Sequence, residues 1–158
     1  MIIDLTKLLT NITSSINIEE KVNLDKSILT NTAIKDLHNV YLKAKISKDA
    51  DGNLLLEGSL KGTMILSDDI TLEEVPYNFD TTIYEYLEET TKVINNSIDI
   101  TNVIFENILV EVPSKVVKEE NRNIHMEGDG WRLITEEELS KVKEKNNPFS
   151  GLSKLLEK

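Results

Sequence analysis

The chain has no cysteine and few aromatic residues, with one Trp, four Tyr and three Phe among 158 residues. The absence of cysteine excludes disulfides, thiolate metal sites and cysteine nucleophiles, and it fits a reducing compartment. Arginine is also scarce, since only Arg122 and Arg132 accompany the lysines. The formal net charge is −10 and the pI is near 4.7, so the average field of the chain repels phosphate. A broad, non-specific nucleic-acid surface is therefore not expected, although a local basic patch is compatible with this charge.

Motifs of the common enzyme classes are missing as well, because the chain has no GxSxG, no Walker loop and no GxGxxG. The two histidines, His38 and His125, are far apart and form no HxxxH spacing, so we predict no metal and no cofactor site. No nucleophile, base and orienting group can be named together. The sequence therefore predicts a protein that is not an enzyme.

The first residues, MIIDLTKLL, contain no basic region, and Asp4 and Lys7 interrupt the apolar ones. This segment is neither a signal peptide nor long enough to cross a membrane. We predict a cytoplasmic protein with no membrane partner.

Residues 53–66, NLLLEGSLKGTMIL, predict a long central strand. Large apolar side chains and two glycines occupy the even positions, and mostly polar residues occupy the odd ones. Because successive side chains of a strand point to opposite faces, this pattern gives one buried and one wet face. Gly58 and Gly62 fall on the buried face, where they could allow a bend, a bulge or the close approach of another element.

The flanking segments predict partners for this strand. Alternation indicates strands at 15–24 and 37–47, and the Asp51-Gly52 pair predicts an antiparallel hairpin into the central strand. Segments 70–75 and 77–87 could form one further strand that is broken near Pro76. We expect a meander of at least four strands, preceded at residues 2–9 by a strand or a one-turn helix.

Residues 101–111 predict a helix packed on the sheet, because Ile100, Ile104, Ile108 and Val112 recur at helical spacing. Asp99 or Thr101 could cap its start. The predicted fold class is α+β: an antiparallel sheet that could be barrel-like, one packed helix and a helical C-terminal tail. We predict a β-rich body at 1–113, followed by a charged linker and C-terminal helices of the same domain at 114–158.

The tail contains two helix signals. Thr135 to Glu138 forms a capping box for a helix reaching about residue 145, and Asn147-Pro148 can start a last helix. Before them, residues 128–131 predict a tight turn that presents the only Trp. This Trp could anchor a partner or stack on a base, or it could attach the tail to the sheet. The candidate interaction residues of the tail are Gly128, Asp129, Gly130, Trp131, Arg132, Asn147, Pro148 and Phe149.

Two acidic groups have ordinary interpretations. Residues 49–53 resemble the start of a calcium loop but lack its later ligands, so a hairpin turn is expected. Asp68 and Asp69, together with Glu73 and Glu74, are expected to form a solvated edge of this acidic chain.

The chain resembles the YceD-like family, the large ribosomal RNA subunit accumulation proteins, over roughly residues 50–158. The resemblance is carried, in order, by GSLKGTMIL, DITLEEVPYNFD, SIDITNVIFENILVEVP, EGDGWRLITEEEL and NNPFSGLSKLL. Many members carry cysteines that this chain lacks, and Asn147-Pro148-Phe149 stands in place of the Asp-Pro-Arg of the family pattern.

The resemblance implies a non-enzymatic role in the accumulation of large-subunit ribosomal RNA, during assembly of the large ribosomal subunit. The implied partners are ribosomal RNA, a ribosomal protein or an assembly factor, with no small-molecule substrate expected. The net charge of −10 favours a basic protein partner at least as much as bare RNA. The alternative function is a small-molecule-binding or protein-interaction β-barrel module, which the glycine-lined apolar face suggests.

Overall fold

The computed structural model describes residues 1–87, 93–121, 127–132, 134 and 138–140, with only the backbone at residues 131 and 132. The chain divides into two compact units, Met1–Val116 and Val117–Lys158. The elements in chain order are β1 Ile2–Asp4, α1 Thr6–Leu9, β2 Ser15–Lys21, a 3₁₀ helix Lys26–Leu29, β3 Asp36–Lys48, β4 Leu54–Ser67, β5 Glu74–Tyr86, β6 Ser97–Asp99, α2 Thr101–Val110, a 3₁₀ helix Glu119–Asn121, β7 Glu127–Gly128 and β8 Trp131–Arg132. The domain organisation predicted around residue 113 stays a prediction.

A four-stranded antiparallel meander forms the body of the first unit. Strands β2, β3, β4 and β5 pair in the order of the sequence, with β4 inside the sheet as the alternation predicted. The sheet stays open, because β2 and β5 are its two edges within the described residues. The α+β class with an antiparallel sheet is therefore confirmed, and the barrel-like form that the sequence left open is not formed within the described residues.

The turn between β3 and β4 is the predicted hairpin. The Asp49 carboxylate accepts hydrogen bonds from the backbone N–H groups of Asp51 and Asn53, both at 2.9 Å. Gly52 has φ +91°, a conformation that glycine adopts without strain. The Asp49 carboxylate therefore orders the turn itself, as expected for a hairpin rather than a calcium loop.

Alternating side chains give the meander one buried face. The buried side chains of β4 on this face are Leu54, Leu56, Leu60, Met64 and Leu66. The register of β3 shifts between His38 and Tyr41, where Asn39 has φ +52°. This bulge returns Leu37 to a position opposite Met64, so Leu37 packs against the core although simple alternation would point it to solvent.

Strand β5 differs from its prediction in two respects. Pro76 lies within a continuous strand instead of breaking it, since a missing N–H group is tolerated on an edge strand. Alternation would also place Tyr77 on the same side as Phe79 and Ile83, which are buried, but Tyr77 is 37% exposed. Tyr77 lies near the end of an edge strand, where fewer neighbouring residues can cover it.

Helix α2 packs on the buried face of the sheet, as predicted. Its buried residues Val103, Ile104, Phe105 and Ile108 belong to the same hydrophobic cluster as the strands. The segment predicted as a strand or a one-turn helix forms both, and its strand β1 pairs with β6. No helix in the described ranges combines the length and the apolar character that crossing a membrane requires.

Asp99 fixes the start of α2. Its carboxylate accepts hydrogen bonds from the Thr101 hydroxyl at 2.5 Å, the Met1 ammonium at 2.9 Å and the Thr101 backbone N–H at 3.0 Å. These three hydrogen bonds, the one from the Thr101 hydroxyl first, lower the pKa of Asp99 from 3.8 to about 2. The prediction that Asp99 or Thr101 caps the helix was wrong, since Ile100 is the N-cap residue and no side chain makes a cap hydrogen bond there. Asp99 lies one residue earlier and accepts instead from the first N–H group of the helix, that of Thr101.

Asp99→Ala is expected to lower the free energy of unfolding by about 1 kcal/mol, because the Thr101 N–H group at the start of α2 loses its acceptor. Asp99→Asn keeps an acceptor and loses only the charge. Since the folded pKa lies below the unfolded one, the contribution of the charge is present above about pH 4 and is lost as the pH falls towards about 2.

Denaturant titrations of the wild type and both variants over that pH range measure these differences. The difference in free energy of unfolding between the wild type and Asp99→Asn should become small at about pH 2. If this difference were the same at every pH, the charge of Asp99 would not contribute to the stability of the fold.

Candidate interaction surface

The tight turn predicted in the tail is formed by the strands β7 and β8. Gly128 pairs with Trp131, and the turn consists of Asp129 and Gly130, which are both exposed. Gly130 has φ +82°, a conformation in which a larger side chain would be strained. The hairpin thus holds Trp131 and Arg132 on a short strand, and their interaction role stays a prediction.

The other predicted interaction residues, Asn147, Pro148 and Phe149, lie outside the described residues. The predicted last helix lies there too, as does the predicted helix 135–145 except for residues 138–140, which are helical. Val116, near the start of the predicted charged linker, is hydrogen-bonded to Asp69. Val116 accepts a hydrogen bond from the Asp69 backbone N–H, and its own N–H donates to the Asp69 carboxylate, both at 2.8 Å.

The face of the meander opposite the core is exposed and carries aligned polar side chains. In the register of the sheet, Lys21, Tyr41, Lys61 and Asp80 lie side by side across the four strands. Lys43 lies two residues from Tyr41 on β3 and therefore points to the same face. Lys21, Tyr41, Lys43 and Lys61 form what we call the lysine–tyrosine cluster.

Tyr41 lies at the centre of this cluster. It is 41% exposed, with Lys21 as its neighbour on β2 and Lys61 as its neighbour on β4. The side chains of Lys43 and Lys61 are 69% and 61% exposed. An exposed tyrosine thus has three lysines at neighbouring positions on the same face of the sheet.

Each lysine of the cluster has a weak polar partner. Lys61 lies 2.9 Å from Asp80, Lys43 lies 3.5 Å from Glu19, and the Lys21 ammonium donates to the Asn39 side chain at 3.4 Å. Exposed ion pairs contribute about 0–1 kcal/mol each. The lysines can therefore exchange these partners for a ligand at small cost.

Two grooves flank the cluster. One, of about 440 Å³, lies over β2, β3 and β4 and is lined by Asn17, Ile18, Glu19, Lys43, Ala44, Lys45, Glu57 and Gly58. The other, of about 400 Å³, lies beside the bulge of β3 and includes Lys21, Lys26 and His38 in its lining. The cluster therefore borders both grooves, through Lys43 and Lys21.

Charged groups beside the bulge pair with one another. A hydrogen bond from Lys26, at 2.8 Å, holds the pKa of Asp36 below its usual range. His38 lies 3.5 Å from the same carboxylate and is 54% exposed. Within the described ranges, no three His, Asp or Glu side chains are grouped so that they could hold a metal ion.

A second tyrosine lies on the same face in a different setting. Tyr84 is 65% exposed and lies opposite Glu57, a carboxylate. Its ring is perpendicular to that of Tyr86, with the ring centroids 6.2 Å apart. A hydrogen bond with Tyr84, the charge of Tyr84 and desolvation raise the pKa of Tyr86, with smaller contributions from Asp49 and Asp51.

The expectation of a solvated acidic edge was wrong at Asp68. Its side chain is fully buried and accepts hydrogen bonds from the N–H groups of Ile70 at 2.8 Å and Thr71 at 2.9 Å. Residues 69–71 form the turn before β5, and a buried carboxylate orders it. Only Asp69, Glu73 and Glu74 of the predicted acidic group are exposed.

Sequence reasoning missed the lysine–tyrosine cluster, although the signal was present. The Asp-Gly turn predicts the pairing of β3 with β4, and counting back from it places Lys43 opposite Ser59 and Tyr41 opposite Lys61. The position of Lys21 beside Tyr41 depends on how β2 is aligned, which no tight turn specifies.

The fold and this surface define an α+β protein that covers one face of an antiparallel meander with a helix and presents the other face to solvent. The family described as "Large ribosomal RNA subunit accumulation protein YceD" matches residues 56–156, more than half of the chain. The chain belongs to this family.

The chain is also similar to a Bacillus subtilis (strain 168) protein named "Uncharacterized protein YlbN". The two are 26% identical over 155 residues, which cover 90% of this chain and 88% of that protein. No solved structure matches. The family match begins within β4, so β2 and β3, which carry Lys21, Tyr41 and Lys43, lie before it.

Proposed function

We propose that this chain is a non-enzymatic, cytoplasmic factor in the accumulation of large-subunit ribosomal RNA. It acts during assembly of the large ribosomal subunit by binding ribosomal RNA, a ribosomal protein or an assembly factor. The observation that carries this proposal is the family match over residues 56–156. The exposed face of the meander supplies a surface on which such binding can occur.

The character of that face supports binding over catalysis. Its ion pairs, Lys43–Glu19, Lys45–Glu57 and Lys61–Asp80, are all more than 40% exposed on both sides. Catalytic acids and bases are commonly tuned by burial and by strong coupling to a neighbour. Exposed and weakly paired charges are instead suited to exchanging partners with a macromolecule.

A second candidate function is docking of a protein partner through the β7–β8 hairpin. Trp131 and Arg132 belong to residue types that dominate the energy of protein interfaces, and the turn beside them is exposed. The alternative function as a small-molecule-binding β-barrel has less support, since the four described strands of the meander form an open sheet without a barrel interior.

The proposal is tested by sedimentation of a lysate through a sucrose gradient at low salt. We expect the full chain to migrate with precursors of the large ribosomal subunit. Treating a parallel sample with nuclease distinguishes RNA-mediated from protein-mediated association. Recovery of the chain only at the top of the gradient, at low salt, would count against the proposal.

A further inference from the structure

We infer that the lysine–tyrosine cluster binds a short unpaired segment of RNA, with a base stacked on Tyr41 and phosphates contacted by Lys21, Lys43 and Lys61. This inference rests on the proposed function and names the partner class and the residues that contact it.

The ring of Tyr41 has the surroundings that stacking requires. Tyr41 as a residue is 41% exposed, and it lies on β3, which is paired with a strand on each side. Proteins that bind single-stranded RNA use aromatic side chains of this kind as stacking platforms. Bases in a duplex are already stacked and paired, so an unpaired segment is the form that can use the ring.

The lysines supply the charge that complements phosphate. Residues 1–48 carry seven lysines against five carboxylates, although the whole chain has a net charge of −10. Lys21 and Lys61 lie on either side of Tyr41, and Lys43 follows it on the same face. Phosphates on both sides of a stacked base could therefore each meet an ammonium group.

Two carboxylates limit this binding. Glu19 lies 3.5 Å from Lys43, and Asp80 lies 2.9 Å from Lys61, so both repel phosphate and occupy a lysine. Removing their charge should strengthen the binding of RNA. The same change should weaken the binding of a basic protein, which would use these carboxylates as contacts. The sign of the effect therefore distinguishes the two kinds of partner.

The experiment measures fluorescence anisotropy of a labelled, unstructured RNA oligonucleotide with the full-length protein, over a series of salt concentrations. Tyr41→Ala is expected to weaken binding about tenfold, and Tyr41→Phe to retain it, because the ring survives. Lys43→Gln with Lys61→Gln should reduce the slope of log affinity against log salt by about 1.4. Glu19→Gln with Asp80→Asn should tighten binding about threefold.

Tyr84→Ala is the matched control. Tyr84 lies on the same face and is exposed, but its neighbour on β4 is Glu57 rather than a lysine. Tyr84→Ala should change the affinity for the RNA oligonucleotide by less than about twofold. An equal loss in Tyr84→Ala and Tyr41→Ala would overturn the assignment to this cluster. The double variant Glu19→Gln with Asp80→Asn leaves Tyr41 intact. If it bound RNA more weakly than the wild type, the assignment to this cluster would be overturned as well.

Failure of this inference is distinguishable from failure of the proposed function. If the wild type migrates with large-subunit precursors and the cluster variants migrate equally well, the cluster is not the contact and the function stands. If the wild type fails to migrate with precursors, the proposed function fails, whatever the oligonucleotide shows.

Discussion

Replacing Gly58 by alanine is expected to lower the free energy of unfolding by about 3 kcal/mol. Gly58 lies opposite Ala44 in the β3–β4 pair. A Cβ atom at Gly58 would lie 2.3 Å from the Lys43 carbonyl oxygen and 2.5 Å from the Ala44 Cα. Both obstructing atoms belong to the backbone of an inner strand, so only a displacement of β3 can relieve the overlap.

Gly62→Ala is the matched control on the same strand. There the added Cβ would meet the tip of the Phe79 ring at 2.8 Å and the Val40 Cα at 3.2 Å. A ring can rotate away where a backbone cannot, so the expected loss is about 1 kcal/mol. Urea titrations of both variants measure the difference. Equal losses at the two glycines would show that the close approach of β3 at Gly58 is not what requires glycine there.

Asp68→Ala is expected to lower the free energy of unfolding by about 3 kcal/mol, because hydrogen bonds to a charged group are among the strongest. The carboxylate is fully buried and accepts from two backbone N–H groups, those of Ile70 and Thr71. In the variant, both donors lose that acceptor in a partly buried turn. The turn also holds Leu72 at φ +61°, an uncommon conformation for leucine that the surrounding contacts must maintain.

Asp25→Ala provides the comparison for Asp68. The Asp25 carboxylate also accepts from a backbone N–H two residues ahead, that of Ser27 at 2.8 Å, but it is exposed. Water can replace that acceptor, so the loss should be much smaller than at Asp68. Thermal unfolding of the two variants measures their losses of stability. Similar losses would mean that burial is not the reason why the Asp68 carboxylate stabilises the fold.

The meander could be predicted from sequence because its information is local. Alternation in residues 53–66 and the Asp51-Gly52 turn specify β4 and its pairing with β3, and the structure places β4 at Leu54–Ser67. The helical spacing of Ile104 and Ile108 identified α2 despite the β-branched side chains. These signals extend over a few residues, which is the range that a single sequence reports directly.

Features that depend on distant contacts were not predictable in this way. The pairing of β1 with β6 joins Ile3 to Ile98, and no local pattern specifies such a partner. The burial of Asp68 contradicts its acidic neighbourhood, since it depends on how the turn folds over the carboxylate. The lysine–tyrosine cluster combines side chains from three strands, so it becomes visible only when their alignment is known.

Gly58 also matters for function, because it lines one of the grooves beside the cluster. Gly58→Ala should alter that groove as well as the stability, whereas Asp68→Ala changes a turn outside the cluster. Of the two, Asp68→Ala is therefore the better test of whether a loss of stability alone impairs RNA binding. At a temperature where it remains folded, it should bind the oligonucleotide as the wild type does.

We propose that this chain docks RNA on the exposed face of its meander. Ultraviolet crosslinking in cells, followed by mapping of the crosslinked peptide, tests it most directly. We expect crosslinks to large-subunit ribosomal RNA within β3, at or beside Tyr41. Crosslinks found only in the β7–β8 hairpin, or none to ribosomal RNA at all, would contradict the claim.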